Sequence, residues 1–273
     1  MNNVRWFSPL SVAVLVAIGC GGGRPQDATA EQKGAEAPVQ LAETPAAAPA
    51  AAPAAPSSKT ATGGGSVTGS IRFDGTAPAA QKVQMTADPV CAQAHSTPVM
   101  TEDVVVNSNG TLKNVVVYVK EGAEARPAPQ TPVVLDQQGC WYTPHVFTIQ
   151  VDQPLQIVNS DATMHNVNAK PSSNQPFNLA QPTKGMKSSK KFTKPEAGVK
   201  FKCNVHPWMS AYAVVTPHGF AGVSGDDGAF SIVGLPAGTY TLEAWHEKYG
   251  TQTQSVTVSE GGSAAADFVF KAQ

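Results

Sequence analysis

The chain has 273 residues, among them 24 Gly, 22 Pro and only 14% charged residues, with a formal net charge of −1 at pH 7. So much Gly and Pro excludes a helical bundle and suits short strands joined by turns. A near-neutral charge leaves no global field to draw the protein to nucleic acid, and four cysteines are too few for a small disulfide scaffold.

At the N-terminus, Arg5 precedes an apolar run from Leu10 to Ile18. That run is too short to span a bilayer and has the length of a secretory signal core. It ends in Ala17-Ile18-Gly19-Cys20, which resembles the lipobox of bacterial lipoproteins. The resemblance implies a lipoprotein signal peptide over residues 1–20, lipidation of Cys20 and export on a lipid anchor. Gly21 after the cysteine, rather than Asp, favours the outer membrane, facing the periplasm or the cell surface. An ordinary signal peptide cleaved nearby is the alternative. Residues 21–64 are dominated by Ala, Pro and Gly and carry too little apolar surface to offset their ordering entropy. A disordered tether is expected, with an r.m.s. span of roughly 35–40 Å.

From Gly65 onward the texture is that of strands. Ser66–Phe73 alternates and ends on the turn Asp74-Gly75. A short helix is expected near Pro89–His95, then strands at Leu112–Val119, Val133–Leu135, His145–Val151 and Leu155–Val158. Lys190–Thr193, Val199–Lys202 and Ala211–Val215 follow, then Ala229–Ile232, Thr239–Trp245, Gln254–Val258 and Ala266–Phe270. No stretch keeps a 3.6-residue period for three turns. Short strands at this spacing predict an all-β chain of packed sandwiches.

The chemistry sits in Phe201-Lys-Cys203-Asn-Val-His206-Pro-Trp-Met209 and, upstream, in Asn159-Ser-Asp161-Ala-Thr-Met-His165-Asn166-Val167. An unpaired cysteine in an oxidising compartment needs a reason. Two His, one Cys and one Met are the ligand set of a trigonal copper site with a weak axial thioether. Zinc fits less well, because structural zinc sites use Cys and His and not Met.

The two motifs together resemble the cupredoxins. The C-x2-H-P-aromatic-M loop is similar to that of amicyanin. The N-x-D-x3-H-N-V segment is similar to the first-ligand strand of plastocyanin, pseudoazurin and amicyanin. The resemblance implies a Greek-key cupredoxin sandwich, with one mononuclear type 1 copper held by His165, Cys203 and His206 and, axially, by Met209. It further implies that Asn166 hydrogen-bonds across to the Cys203 loop, and that His206 is the solvent-edge ligand through which electrons leave. Lys184, Lys187, Lys190, Lys191, Lys194, Lys200 and Lys202, opposed only by Glu196, form either a face that steers an acidic redox partner or an ordinary solvated surface. Pro207 and Trp208 either present an apolar docking patch or pack inward.

Cys91 and Cys140 remain. A disulfide between them satisfies the compartment and leaves Cys203 free. The competing arrangement is a second metal site using Cys91 and His95, with His145 or Met85. No C-x-x-C-H is present for covalent haem. The C-terminal run Gly225–Leu242, an acidic-Gly turn, a strand, a Leu-Pro-x-Gly turn and a Tyr-led strand, resembles the carboxypeptidase regulatory-like (transthyretin-like, CnaB-like) sandwich. The opening pattern of such a domain lies far upstream at Gly65–Gly75. The expected order is therefore a sandwich split into 65–128 and 218–273, with the cupredoxin at 129–217 inserted between; simple tandem order is the alternative. The whole chain resembles bacterial lipoproteins of the methylamine-utilisation-like type.

The expected function is a membrane-tethered carrier of one electron between redox proteins. The rivals are copper binding or delivery without a redox role, and a surface adhesion or carbohydrate-binding module with a structural metal. An enzyme is not expected. Four protein ligands leave no room for substrate, and no catalytic triad or carboxylate pair is evident.

Overall fold

The computed structural model describes residues 64–272. The signal peptide, Cys20 and nearly all of the tether lie outside the described residues. The chain runs through β1 (Gly65–Asp74), α1 (Pro89–Gln93), β2 (Val116–Glu121), β3 (Val133–Gln137) and β4 (Tyr142–Thr143). Then come β5 (Val146–Gln150), β6 (Leu155–Asn159), β7 (His165–Ala169), β8 (Phe177–Gln181) and β9 (Lys187–Lys190). Next are β10 (Glu196–Lys202), β11 (Ser210–Thr216), β12 (Ala221–Val223) and β13 (Ala229–Leu235). Last are β14 (Gly238–His246), β15 (Gly250–Val258), β16 (Ser263–Ala265) and β17 (Phe268–Lys271). The protein is all-β, and α1 is the one helix among the described residues.

Two sandwiches follow from the pairing. In the first, β1 lies between β13 and the parallel strands β16 and β17, and it faces the sheet β12-β2-β14-β15. Alternation sends Val67 and Ile71 of β1 inward to meet Val117, Ile232, Leu242, Val258 and Phe270. Strands early and late in sequence thus share both sheets: β1 pairs with β13, and β2 pairs with β14.

In the second sandwich the sheet β5-β11-β10-β7-β8 covers the sheet β4-β3-β6-β9. Its core holds Leu135, Phe147, Leu155, Ile157, Phe192 and Phe201. Phe201 is the hub, with ring centroids 5.6 Å from Phe147 and 6.3 Å from both Phe177 and Phe192. The sandwiches meet along an apolar seam of Val116, Val146 and Val214, flanked by Tyr118, Tyr212 and Trp245. At this seam β10 is irregular. Gly198 has φ +74°, and a Cβ there would lie 2.9 Å from the Trp245 ring, so only glycine fits both the backbone and the neighbour.

The strand expected at Lys190–Thr193 forms instead at Lys187–Lys190, because those residues pair with β6 while Phe192 beyond them turns into the core. Strand β7 was expected only through its resemblance to a first-ligand strand, and β4, β8, β12 and β16 were not individually expected. They are short or polar, and pairing rather than propensity makes them strands.

Candidate metal centre

His165 opens β7, and Cys203, His206 and Met209 lie on the loop between β10 and β11. Antiparallel pairing of β10 with β7, Lys202 opposite Asn168, brings the two motifs side by side. The loop is closed by its own backbone: Cys203 N–H donates to the Met209 carbonyl (3.2 Å), and Met209 N–H to that of His206 (3.0 Å). His206 N–H donates to Cys203 Sγ (3.3 Å). Asn166 Oδ1 accepts the Asn204 N–H, which staples the loop to β7.

The ligand atoms converge. His165 Nδ1 and His206 Nδ1 are 2.9 Å apart, and Cys203 Sγ is 4.0 Å from His206 Nδ1. All three residues are buried, and Met209 is fully buried in the same core. Among the described residues Cys203 is the free cysteine.

Each imidazole is also held from behind by a carboxylate. Asp161 Oδ2 takes His165 Nε2 (2.9 Å) and the Cys140 N–H (2.7 Å), while its Oδ1 takes the Gly139 N–H (2.8 Å). Asp88 Oδ2 takes His206 Nε2 (3.1 Å) and the Thr163 hydroxyl (2.8 Å). A carboxylate accepts only, so each Nε2 carries a proton and each Nδ1 faces the thiol. Such carboxylate–histidine pairs are the usual backing of metal-ligating imidazoles. Two facing lone pairs beside a thiolate repel unless a proton or a cation lies between them. This donor set fits copper: thiolate for Cu(I), imidazole for either oxidation state.

The titration behaviour has the same origin. Burial opposes the His165 imidazolium, but the hydrogen bonds and charges of Asp161 and Cys203 outweigh it and lift its pKa to about 9. Burial and the neighbouring His165 charge lower His206, against the opposing pull of Asp88. Burial opposes the Cys203 thiolate, yet hydrogen bonds from His165 and from backbone N–H groups bring its pKa below the ordinary thiol value.

One expectation is overturned. His206 is not a solvent-edge ligand, for it is only 2% exposed. The chain between β1 and β2 lays α1 over it, and Cys91 Sγ sits 3.6 Å from its Nε2. Trp208 turns inward, 5.1 Å from the His206 ring, and donates its indole N–H to the Cys140 carbonyl (3.1 Å). Cys91 and Cys140 are joined as a disulfide. The alternative second metal site is therefore not formed. His95 Nε2 instead meets the Gly139 carbonyl (2.6 Å), Met85 packs in the core, and His145 pairs with Glu247.

The lysines lie on the surface, and among the described residues none of the seven is in an ion pair. Glu196 is turned away, accepting from the backbone N–H groups of Ser172 and Ser173. Asp88 and Asp161 were missed as functional residues. Asp161 was legible as the acidic residue four before His165, whereas nothing near Asp88 in sequence points to His206.

Residues 211–271 match the carboxypeptidase regulatory-like domain family. That stretch starts in β11, within the second sandwich, and runs through the late strands of the first. No curated protein sequence matches the chain. Among solved structures, an oxidised proline-to-alanine variant of amicyanin is 24% identical, over 31% of this chain and 81% of that one, with a TM-score of 0.28. A methionine-to-alanine variant of amicyanin in a Cu(I) form is 21% identical, over 36% and 97%, with a TM-score of 0.28. The copper-containing nitrite reductase of Thermus scotoductus SA-01 is 26% identical, over 36% and 25%, with a TM-score of 0.27.

Proposed function

We propose that this chain is a mononuclear type 1 copper protein that carries one electron between redox proteins, and that it is not an enzyme. His165, Cys203, His206 and Met209 would hold the copper. The observation that carries this reading is the convergence of two Nδ1 atoms on one buried thiol, with both Nε2 atoms tied to carboxylates. Bound there, copper would supply a one-electron Cu(I)/Cu(II) couple. The chain contributes a rigid donor set: Asn166 staples the Cys203 loop, the two carboxylates fix the imidazoles, and the surrounding core excludes water. In this reading a cupredoxin-like sandwich is inserted into a carboxypeptidase regulatory-like one, which the pairing of β1 with β13 and β2 with β14 supports.

The partner would be an acidic redox protein, drawn by the unpaired lysines and docking on apolar side chains. Met164 and Val205, each next to a histidine ligand, are exposed. The chain would be exported and held on the outer membrane by lipid at Cys20; release of a Cys20→Ser variant from membranes tests this, and unchanged association refutes it. A copper-holding or delivery role is favoured by one observation, the burial of His206.

Addition of Cu(II) to the purified chain tests the centre. An intense thiolate-to-copper band at one copper per chain is expected, and Cys203→Ser should abolish it. A colourless chain refutes the reading. Reversible one-electron voltammetry then supports the carrier, whereas rapid transfer of copper to a competing apoprotein supports delivery.

A further inference from the structure

We propose that Asp88 is a positioning residue for the metal ligand His206, delivered from the first sandwich on a disulfide-anchored cap that closes the centre to solvent. The inference rests on the copper reading above and adds a residue from outside the sandwich that carries the ligands. After β1 the chain leaves its own sandwich before returning to β2. The excursion has a stem: Val83 N–H donates to the Val99 carbonyl, Thr101 N–H to that of Gln81, and Lys82 bridges Met100. Its tip is Asp88 followed by α1.

Asp88 does two things at once. Its Oδ1 accepts the Val90 N–H (2.8 Å) and so caps α1. Its Oδ2 reaches His206 Nε2. Without that acceptor, the imidazole is free to turn over and replace Nδ1 by a carbon at the metal. Cys91 on α1 is bonded to Cys140, whose N–H is held by Asp161, and Asp161 holds His165. The two histidines are thus connected on their Nε2 sides through Asp88, the disulfide and Asp161. The cap accounts for the burial of His206.

Serine at position 88 separates this role from a purely structural one. Ser is as good a helix cap as Asp, so Asp88→Ser keeps α1 capped, but its short side chain cannot hold His206 Nε2. Four measurements on the full chain decide. With copper bound, Asp88→Ser should lower copper affinity by about 10–100-fold, release copper faster to a chelator in excess, and shift the thiolate-to-copper band. Asp88→Asn, which keeps an acceptor oxygen, should lie between Asp88→Ser and wild type. Without metal, diethyl pyrocarbonate should modify His206 slowly in wild type and quickly in the Cys91→Ala/Cys140→Ala double variant, whose cap has lost its anchor, read by mass spectrometry of the peptide.

If wild type binds copper with a thiolate band and Asp88→Ser matches it in affinity, release and spectrum, the positioning role is overturned. If His206 reacts equally in wild type and in the double variant, the cap is overturned. If wild type takes up no copper, the copper reading fails and the positioning role fails with it; the modification rates then decide the cap alone.

Discussion

Replacing both Cys91 and Cys140 by alanine removes a crosslink between residues 49 apart in sequence. In the chain-entropy account, freeing a loop of that length in the unfolded chain costs about 4 kcal/mol of stability at 25 °C. Both residues are buried, so the lost sulfurs leave small cavities that add to this figure. For a chain of this size 1 kcal/mol moves Tm by roughly 2–4 °C, so the variant should melt on the order of 8–16 °C below wild type. Scanning calorimetry of oxidised wild type, dithiol-reduced wild type and the double variant is the assay. Reduced wild type and the variant should fall together. An unmoved Tm in the double variant refutes the bridge as a stabilising link. A peptide map that joins either cysteine to Cys203 refutes the pairing.

Other expected outcomes are independent of that bridge. Phe201→Ala, at the centre of three aromatic contacts, should cost about 3–5 kcal/mol in urea unfolding; a cost near zero means the core is misread. Asp161→Asn should weaken copper binding by about tenfold or more while leaving the Cys203 thiolate band in place; unchanged affinity removes the carboxylate from the site. Burial, and then the neighbouring His145 charge, depresses His246 to about 4. Its stability contribution is present above the unfolded value of 6.5 and is lost as pH falls through the window toward 4. Between pH 7 and pH 5 wild type should lose about 2 kcal/mol relative to His246→Phe; parallel pH profiles contradict the assignment. Oxidation of the copper-loaded, reduced chain by ferricyanide, an anion, should slow as salt rises, because screening lengths fall to about 10 Å at 0.1 M. A flat salt dependence leaves the lysine face without a steering role.

Local pattern carried much of the architecture. The alternation in Ser66–Phe73 became β1, the strand expected at Leu112–Val119 forms at Val116–Glu121 as β2, and the acidic-Gly turn at Gly225 precedes β13. The candidate metal motif was readable because Cys203, His206 and Met209 sit at fixed intervals on one loop. What stayed hidden depends on approach through space. Asn166, Val167 and Asn168 become a buried strand only because β8 and β10 pair with it on either side. Asp88 lies 118 residues from His206, and no periodicity links a helix cap from one sandwich to a buried histidine in another. The supposed exposure of His206 failed for the same reason: its cover comes from a connection that local patterns read as a loop.

The seam between the sandwiches extends this logic. Glu247, in the turn after β14, pairs with His145 just before β5, and His145 Nδ1 meets the Ser210 carbonyl (3.1 Å) at the start of β11. Ser210 follows Met209 directly. Burial opposes a charged His145, but the hydrogen bond and charge of Glu247, with Glu102 beyond, outweigh it and raise its pKa. A late residue of the first sandwich therefore fixes the exit of the ligand loop, while an early one, Asp88, fixes its middle. The first sandwich and its excursion grip the loop at both points, and neither grip lies within the stretch 129–217. Excising residues 129–217 as a separate domain would remove Asp88, Cys91 and Glu247 together. The excised domain should keep the donor set yet bind copper more weakly and exchange it faster than the whole chain. Equal affinity and exchange in the two would show that the surrounding sandwich contributes nothing to the centre.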